Sequence, residues 1–229
     1  MPLKTIIITG AEGNLGQAVA KKFLDKDYNI IGTIHKKGKD NFTDHNFHQE
    51  AIDLLNEENA QDFVIGVIEK YKAIDVAVLT AGGFATGNIT TSKTNEIAKQ
   101  YQLNFETALN IARPVFAQML NQNNGRIFLI GSQAGLHPSN SKGAVGYGLS
   151  KSLIFRLAEI MNAEAKKKNV VVSVIVPSII DTPQNRESMP DEDFNNWVTT
   201  SQIADVIYFY SRNEGSAIRE PVIKVYNKS

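Results

Sequence analysis

The sequence predicts a three-layer αβα fold, in which a doubly wound, seven-stranded parallel sheet carries helices on both faces. Three observations lead there. The β-branched run Thr5-Ile6-Ile7-Ile8-Thr9 ends in glycine, as befits a strand buried on both faces of a parallel sheet. Apolar runs of strand length then alternate with stretches of helical period along the chain. The connections between successive strands are long enough to return to a parallel neighbour.

Taken in order, Thr5 to Thr9 is the first strand. Asn14 to Lys26 is a helix, with Leu15, Val19, Phe23 and Leu24 at helical spacing. Asn29 to Ile34 is the second strand and Phe47 to Ile52 the third, with the polar stretch Lys36 to Asn46 between them as a surface loop. Asn56 to Tyr71 is helical, with Phe63, Val64, Val67 and Ile68 on one face. Ile74 to Leu79 is the fourth strand. Thr94 to Asn121 is a long helical region with a break near Gln102, and Arg126 to Ile130 is the fifth strand. Ala144 to Lys168 is a long helix whose last turn, Lys166-Lys167-Lys168, opposes the helix dipole. Val170 to Val176 is the sixth strand, stopped by Pro177. A long irregular stretch, Pro177 to Trp197, leads to a short helix at Ser201 to Arg212 and a last strand at Pro221 to Tyr226. No repeat, low-complexity segment or linker interrupts this order. Residues 1–229 are therefore expected to form a single domain with a substrate loop at about 178–200.

Composition narrows the function classes. There are 24 basic and 24 acidic residues, so the formal net charge is zero. That balance suggests neither nucleic acid nor a membrane surface as a partner. The chain has no cysteine, which rules out disulfides, thiol catalysis and cysteine-ligated zinc and suits a cytoplasmic location. The apolar run at the N-terminus is too short for a signal peptide. No stretch approaches the roughly 20 apolar residues needed to cross a bilayer.

Thr9-Gly10-Ala11-Glu12-Gly13-Asn14-Leu15-Gly16 joins the first strand to the first helix. Glycine at 10, 13 and 16 lets backbone turn tightly and approach a pyrophosphate. The helix N-terminus adds N–H groups and partial positive charge. The expected fold is therefore a Rossmann-type dinucleotide site. The spacing is Gly-x-x-Gly-x-x-Gly rather than the commoner Gly-x-Gly-x-x-Gly. In such folds the end of the second strand meets the adenosine ribose, and an acid there suits NAD. Here it reads Ile34-His35-Lys36-Lys37. The two lysines favour the extra phosphate of NADP(H), with NAD(H) possible; equally, they suit a solvated loop. Asp53 after the third strand suits the adenine amino group, or a helix N-cap. Leu54 beside it is placed at the same site.

Tyr147 and Lys151 are four apart on a predicted helix and share a face. An ammonium beside a phenol favours the phenolate and lowers the tyrosine pKa from about 10. Such a tyrosine can give a proton to a substrate oxygen as hydride arrives. Ser132, after the fifth strand, can hydrogen-bond the same oxygen. Of the seven tyrosines, only Tyr147 has a lysine four residues on. Both Ser132 and Tyr147 are expected at the carboxyl edge of the sheet, where ligands bind in this architecture.

The Thr9–Gly16 turn, Thr80-Ala81-Gly82-Gly83, Asn104, Ser132, Tyr147 and Lys151 together resemble the ordered motifs of the short-chain dehydrogenase/reductase family, over nearly the whole chain. The resemblance implies that Lys151 also binds the nicotinamide ribose and that Asn104 holds a water in a proton relay. It implies that Ala81, Gly82 and Gly83 border the cofactor. Pro177, Ile180 and Thr182 then contact its nicotinamide end, although Ser178 stands where the family usually has glycine. It further implies a homodimer or homotetramer paired through helices at 103–121 and 144–168. Ala81-Gly82-Gly83 and the stretch Asp181 to Phe194 resemble the dihydropteridine reductase branch, which reduces quinonoid dihydropteridines. His35 departs from the acid of the animal enzymes, and Ser132 from their lack of a serine. The expected activity is hydride transfer from NAD(P)H to a carbonyl or quinonoid dihydropteridine-like small molecule, with Tyr147 as proton donor. The alternatives are a carbonyl or quinone reductase unrelated to pterins and a catalytically silent dinucleotide sensor.

Other patterns carry less. His45 and His48 lie three apart in a polar loop without a third ligand, so no metal site is expected. Ser132 lacks the flanking glycines of a hydrolase elbow. Ser139-Asn140-Ser141-Lys142 matches Ser-x-x-Lys by chance, within a loop. Met189, Phe194 and Trp197 suit either a lid over the substrate or packing of their own loop.

Overall fold

A computed structural model describes residues 3–36, 42–215 and 217–228. The elements are β1 (Thr5–Thr9), α1 (Asn14–Leu24), β2 (Asn29–Ile34), β3 (Phe47–Ala51), α2 (Glu57–Tyr71), β4 (Val76–Leu79), α3 (Thr94–Tyr101) and α4 (Thr107–Gln122). They continue with β5 (Asn124–Ile130), α5 (Gln133–Leu136), α6 (Val145–Glu164), β6 (Asn169–Pro177), β7 (Ile180–Asp181), α7 (Pro183–Ser188), β8 (Val198–Thr199), α8 (Thr200–Ser211) and β9 (Val222–Val225). The seven-stranded sheet runs β3-β2-β1-β4-β5-β6-β9. Every pairing in it is parallel. The order reverses between β1 and β4. Their carboxyl ends therefore open a crevice at the topological switch point, the place where such sheets bind ligands.

Strand side chains alternate between two cores, as a period of two requires. Ile7, Ile31, Ala77, Leu79, Ile127 and Leu129 face α2, α4 and α6. Ile6, Ile8, Ile30, Val76, Val78 and Phe128 face α1 and α8. β6 follows the same rule: Val170, Val172, Val174 and Val176 enter the first core, and Ile175 enters the second. On the other face, Phe23 of α1 is fully buried. Its ring meets Tyr28 edge-on at 4.9 Å and Tyr208 of α8 at 5.4 Å. Fully burying a side chain of that size is worth about 1.5–3 kcal/mol.

The break expected near Gln102 is a π turn at Gln102–Glu106, between α3 and α4. Two other stretches differ from expectation for local reasons. The long helix expected to reach Lys168 ends at Glu164. Lys167 takes φ +74°, which a right-handed helix cannot continue. The three lysines thus form a turn beyond the helix and not its last turn. The stretch 178–200 is less irregular than its sequence suggests. β7 and β8 pair Ile180 with Val198 and Asp181 with Thr199, closing its base. Trp197 is only 2% exposed, which makes it a packing residue and not part of a lid. Residues 37–41 of the expected loop between β2 and β3, Lys37 included, lie outside the described residues.

Two glycines hold the glycine turn against the sheet. A Cβ on Gly16 would lie 2.2 Å from the Gly10 carbonyl oxygen, and one on Gly32 would lie 2.6 Å from Ala11 Cβ. Gly66, inside α2, has nothing within 4 Å of its Cβ position. Gly16→Ala should therefore destabilise the protein by about 1–3 kcal/mol through backbone displacement. Gly66→Ala should stabilise it by about 0.5–1 kcal/mol through helix propensity. Urea unfolding of both variants checks the pair, and equal signs would contradict this packing.

Candidate active site

The glycine turn is built as the crevice needs. Gly10 takes φ +63°, a left-handed conformation that favours glycine. Gly13 N–H donates to the Gly10 carbonyl at 3.0 Å. Gly13 is also the N-cap of α1 and offers no side-chain cap, so the first-turn N–H groups of Asn14, Leu15 and Gly16 receive none from it. On the other side of the crevice, Thr80 Oγ1 donates to the Thr9 carbonyl at 2.5 Å, and Ala81 N–H donates to Thr9 Oγ1 at 3.1 Å. These bonds tie the ends of β1 and β4 together. A cleft of about 300 Å3 results, lined by Gly10, Glu12, Gly13, His35, Asp53, Leu54, Ala81 and Gly82 among others.

Eight sequence-predicted cofactor residues therefore converge on one cleft. Bare backbone at 10, 13 and 82 and a mixed wall of Asp53 and Leu54 suit the adenosine half of a dinucleotide. Asp53 is not an N-cap: Asn56 caps α2 by accepting from Asn59 N–H. Asp53 Oδ1 instead accepts from Leu55 N–H at 3.0 Å and remains exposed. Buried Asn110 of α4 holds this loop, donating to the Leu54 carbonyl at 2.9 Å. Lys36, Asn14, Leu15, Gly16, Gly83, Pro177, Ile180 and Thr182 do not line that cleft. Lys36 is exposed just past β2. Asn14 Nδ2 donates to Gln184 Oε1 of α7 at 2.8 Å, across the mouth of the glycine turn. Thr182 caps α7 by accepting from Asn185 N–H at 3.2 Å. The Ile180 carbonyl accepts from Asn185 Nδ2 at 2.7 Å, and Pro177 is the buried last residue of β6.

The predicted catalytic side chains also meet. Ser132, at the end of β5, is the N-cap of α5 and accepts from Gly135 N–H at 3.0 Å. Tyr147 lies in the first turn of α6, where it hydrogen-bonds the Ser132 side chain. One turn on, Lys151 is 6% exposed and donates to the Ile130 carbonyl at 2.8 Å. Gly135 allows this packing, since a Cβ there would sit 2.6 Å from the Lys151 backbone. The entry to α6 is pinned by a bridge, Val145 N–H to the Gly87 carbonyl at 3.0 Å and Gly87 N–H to the Gly143 carbonyl at 2.8 Å.

Asn104 sits within the π turn and is 1% exposed. Its Oδ1 accepts from Gly83 N–H and its Nδ2 donates to the Gly83 carbonyl, both at 2.9 Å. Nδ2 also reaches Ser150 Oγ at 3.2 Å and Gln100 Oε1 at 3.3 Å. A π turn adds one residue to the helical ring, and such turns recur at functional sites. Here it aims Asn104 at the Gly82-Gly83 backbone. A Cβ on Gly82 would lie 2.7 Å from Asn104 Oδ1, so the clamp requires glycine there.

The electrostatics differ from expectation. Burial pushes the Tyr147 phenol up, while the Ser132 hydrogen bond pulls it down. Lys151 does not lower it in this geometry. Its Nζ is 5.9 Å from the centre of the Tyr147 ring and is turned to the Ile130 carbonyl. Burial instead lowers Lys151 itself, from an ordinary 10.5 to about 8. One neighbour escaped the sequence reading. Phe84 follows Gly83, is 65% exposed and meets the Tyr147 ring edge-on at 5.0 Å. Its only sequence signal was an aromatic directly after the glycine pair.

A doubly wound sheet with a glycine turn at its switch point and a tyrosine, lysine and serine at its carboxyl edge defines a dinucleotide-dependent oxidoreductase class. Residues 4–193 match the short chain dehydrogenase family model, and the chain belongs to that family. It is an NAD(P)-dependent oxidoreductase. Among its relatives is a dihydropteridine reductase of Dictyostelium discoideum, 28% identical over 93% of this chain and 90% of that protein. Another is a 3-oxoacyl-[acyl-carrier-protein] reductase of Buchnera aphidicola, 23% identical over 94% of this chain and 92% of that protein. The structure of ElxO with NADP bound shares the fold, with a TM-score of 0.89, 23% identity and 97% of each chain covered.

The lowered Lys151 predicts a pH effect with a definite sign. Unfolded lysine holds its proton up to about 10.5 while the native group releases it near 8. Between those values the unfolded state binds more protons, so native stability rises with pH. Below 8 both forms are charged and the cost of burial is constant. Relative to Lys151→Met, the wild type should gain on the order of 3 kcal/mol between pH 8 and pH 10.5. Urea unfolding at pH 7, 9 and 10.5 measures this, and parallel pH curves would contradict it.

Proposed function

We propose that this chain reduces a C=O or C=N bond of a small molecule, with Tyr147 as the proton donor. The observation that carries the reading is the packing of Tyr147, Ser132 and Lys151 at the carboxyl edge, beside a cleft that suits the adenosine half of a dinucleotide. A reduced nicotinamide cofactor supplies the hydride when bound. The Tyr147 hydroxyl gives a proton to the developing oxyanion or amide nitrogen. Ser132 donates its one hydroxyl proton to the same atom. Lys151, one turn on from Tyr147, binds ribose hydroxyls. Asn104 supports proton return through its hold on the Gly83 backbone and Ser150. Lys36 at the end of β2 offers positive charge to a 2′-phosphate, so NADPH is favoured and NADH is possible.

A flat, conjugated substrate such as a quinonoid dihydropteridine suits the exposed Phe84 ring beside Tyr147. The dihydropteridine reductase relative supports the same choice. A ketone substrate is the second reading, favoured by Ser132, which the animal dihydropteridine reductases lack, and by the 3-oxoacyl reductase relative. Residues 178–200 form the substrate loop of a single domain, tied to the glycine turn by Asn14 and Gln184. Exposed Leu149, Leu153 and Ile160 on α6 support pairing of copies through that helix and α4.

Tyr147→Phe should bind the reduced cofactor as the wild type does and lose about 10² or more of kcat. Stopped-flow oxidation of NADPH and NADH measures this, with quinonoid dihydropteridine and a ketone panel run in parallel. Unimpaired turnover by the variant would remove Tyr147 from the mechanism. Turnover of ketones alone would select the second reading.

A further inference from the structure

No acid stands directly after β2, where the sequence reads His35-Lys36-Lys37, yet the structure delivers one there from another element. Glu12 stands in the glycine turn, on backbone fixed by Gly13 N–H to the Gly10 carbonyl and by Ala11 N–H to the Thr33 carbonyl at 2.9 Å. Its Oε1 accepts from the backbone N–H of His35 at 2.9 Å. That N–H is the first beyond β2, and both residues line the switch-point cleft.

In doubly wound sheets the end of the second strand meets the ribose of the adenosine. A carboxylate held at that point accepts a hydrogen bond from a free 2′-hydroxyl. Against a 2′-phosphate it acts twice in the same direction. It repels the second anion, and it occupies the N–H that a phosphate oxygen would take. Asp53, exposed on the same cleft, adds a second acid. Exposed Lys36 opposes both acids from the end of β2.

We propose that Glu12 is the residue that tunes 2′-position specificity, weakening the preference for NADPH over NADH that Lys36 offers. The inference rests on the cleft being the cofactor site, as proposed above. A 2′-phosphorylated cofactor enters only by displacing Glu12 from His35, so the preference offered by Lys36 is held back by a carboxylate that lies 23 residues before His35 in sequence.

The test uses fragments that need no chemistry. Calorimetry measures ADP-ribose and 2′-phospho-ADP-ribose binding to the wild type, Glu12→Gln and Glu12→Ala. Glu12→Gln keeps an acceptor for His35 and removes the charge; Glu12→Ala removes both. The ratio of affinities should move towards the 2′-phosphorylated fragment by about tenfold in Glu12→Gln and at least as much in Glu12→Ala. Raised salt should shrink the first shift, since it screens exposed charge. A ratio that moves less than about twofold in both variants, with binding retained, overturns the role of Glu12 alone. No binding of either fragment by the wild type overturns the cofactor cleft and this inference with it.

Discussion

The burial of one ammonium group at the carboxyl edge of the sheet organises this molecule. Lys151 reaches from α6 to the Ile130 carbonyl at the end of β5. An isolated buried charge is costly, and a single carbonyl offsets only part of that cost. The depressed pKa of Lys151 is the sign of the remainder. The strain is tolerated because the helix is locked from both ends. Gly135 lets α5 press on the lysine backbone, and the bridge between Gly87 and the residues around Ala144 fixes where α6 begins. With α6 fixed, Tyr147 has no choice but to stand one turn earlier, over Ser132.

A second restraint accompanies the first. The π turn holds Asn104 against the Gly83 backbone through two bonds of equal length. It thereby ties the loop after β4 to the helix that covers the sheet. The result is a crevice with two rigid walls, one from the glycine turn and one from the Gly82-Gly83 turn. Polar contacts do this work because each is buried, where an unpaired amide would cost about 1–3 kcal/mol. The same economy explains Asn110 beneath Leu54. Buried asparagines here serve as backbone clamps, and their geometry makes the cleft pre-formed.

Much of this was legible along the chain. The seven strands, their parallel order and the glycine turn follow from period, β-branching and spacing, all of which are local. Tyr147, Lys151 and Ser132 could be paired because a helix brings i and i+4 together and strand ends share an edge. Other features were not legible. Phe84 is an ordinary aromatic until α6 places Tyr147 against it. Glu12 is one residue of a turn until β2 presents the His35 N–H. Trp197 reads as a lid or a packing residue until the β7–β8 pair turns it inward.

The sequence by itself determined the layers, the glycine turn and which candidate side chains gather at the carboxyl edge, because these depend on patterns within a few residues of one another. Only the tertiary structure decided the charge environment. Whether Lys151 tunes Tyr147 or is itself tuned depends on a rotamer and on burial by β5, α5 and α6. Which acid faces the end of β2 depends on a contact across 23 residues of chain. Electrostatics is set by distance through space and by exclusion of water, and neither is written in local spacing.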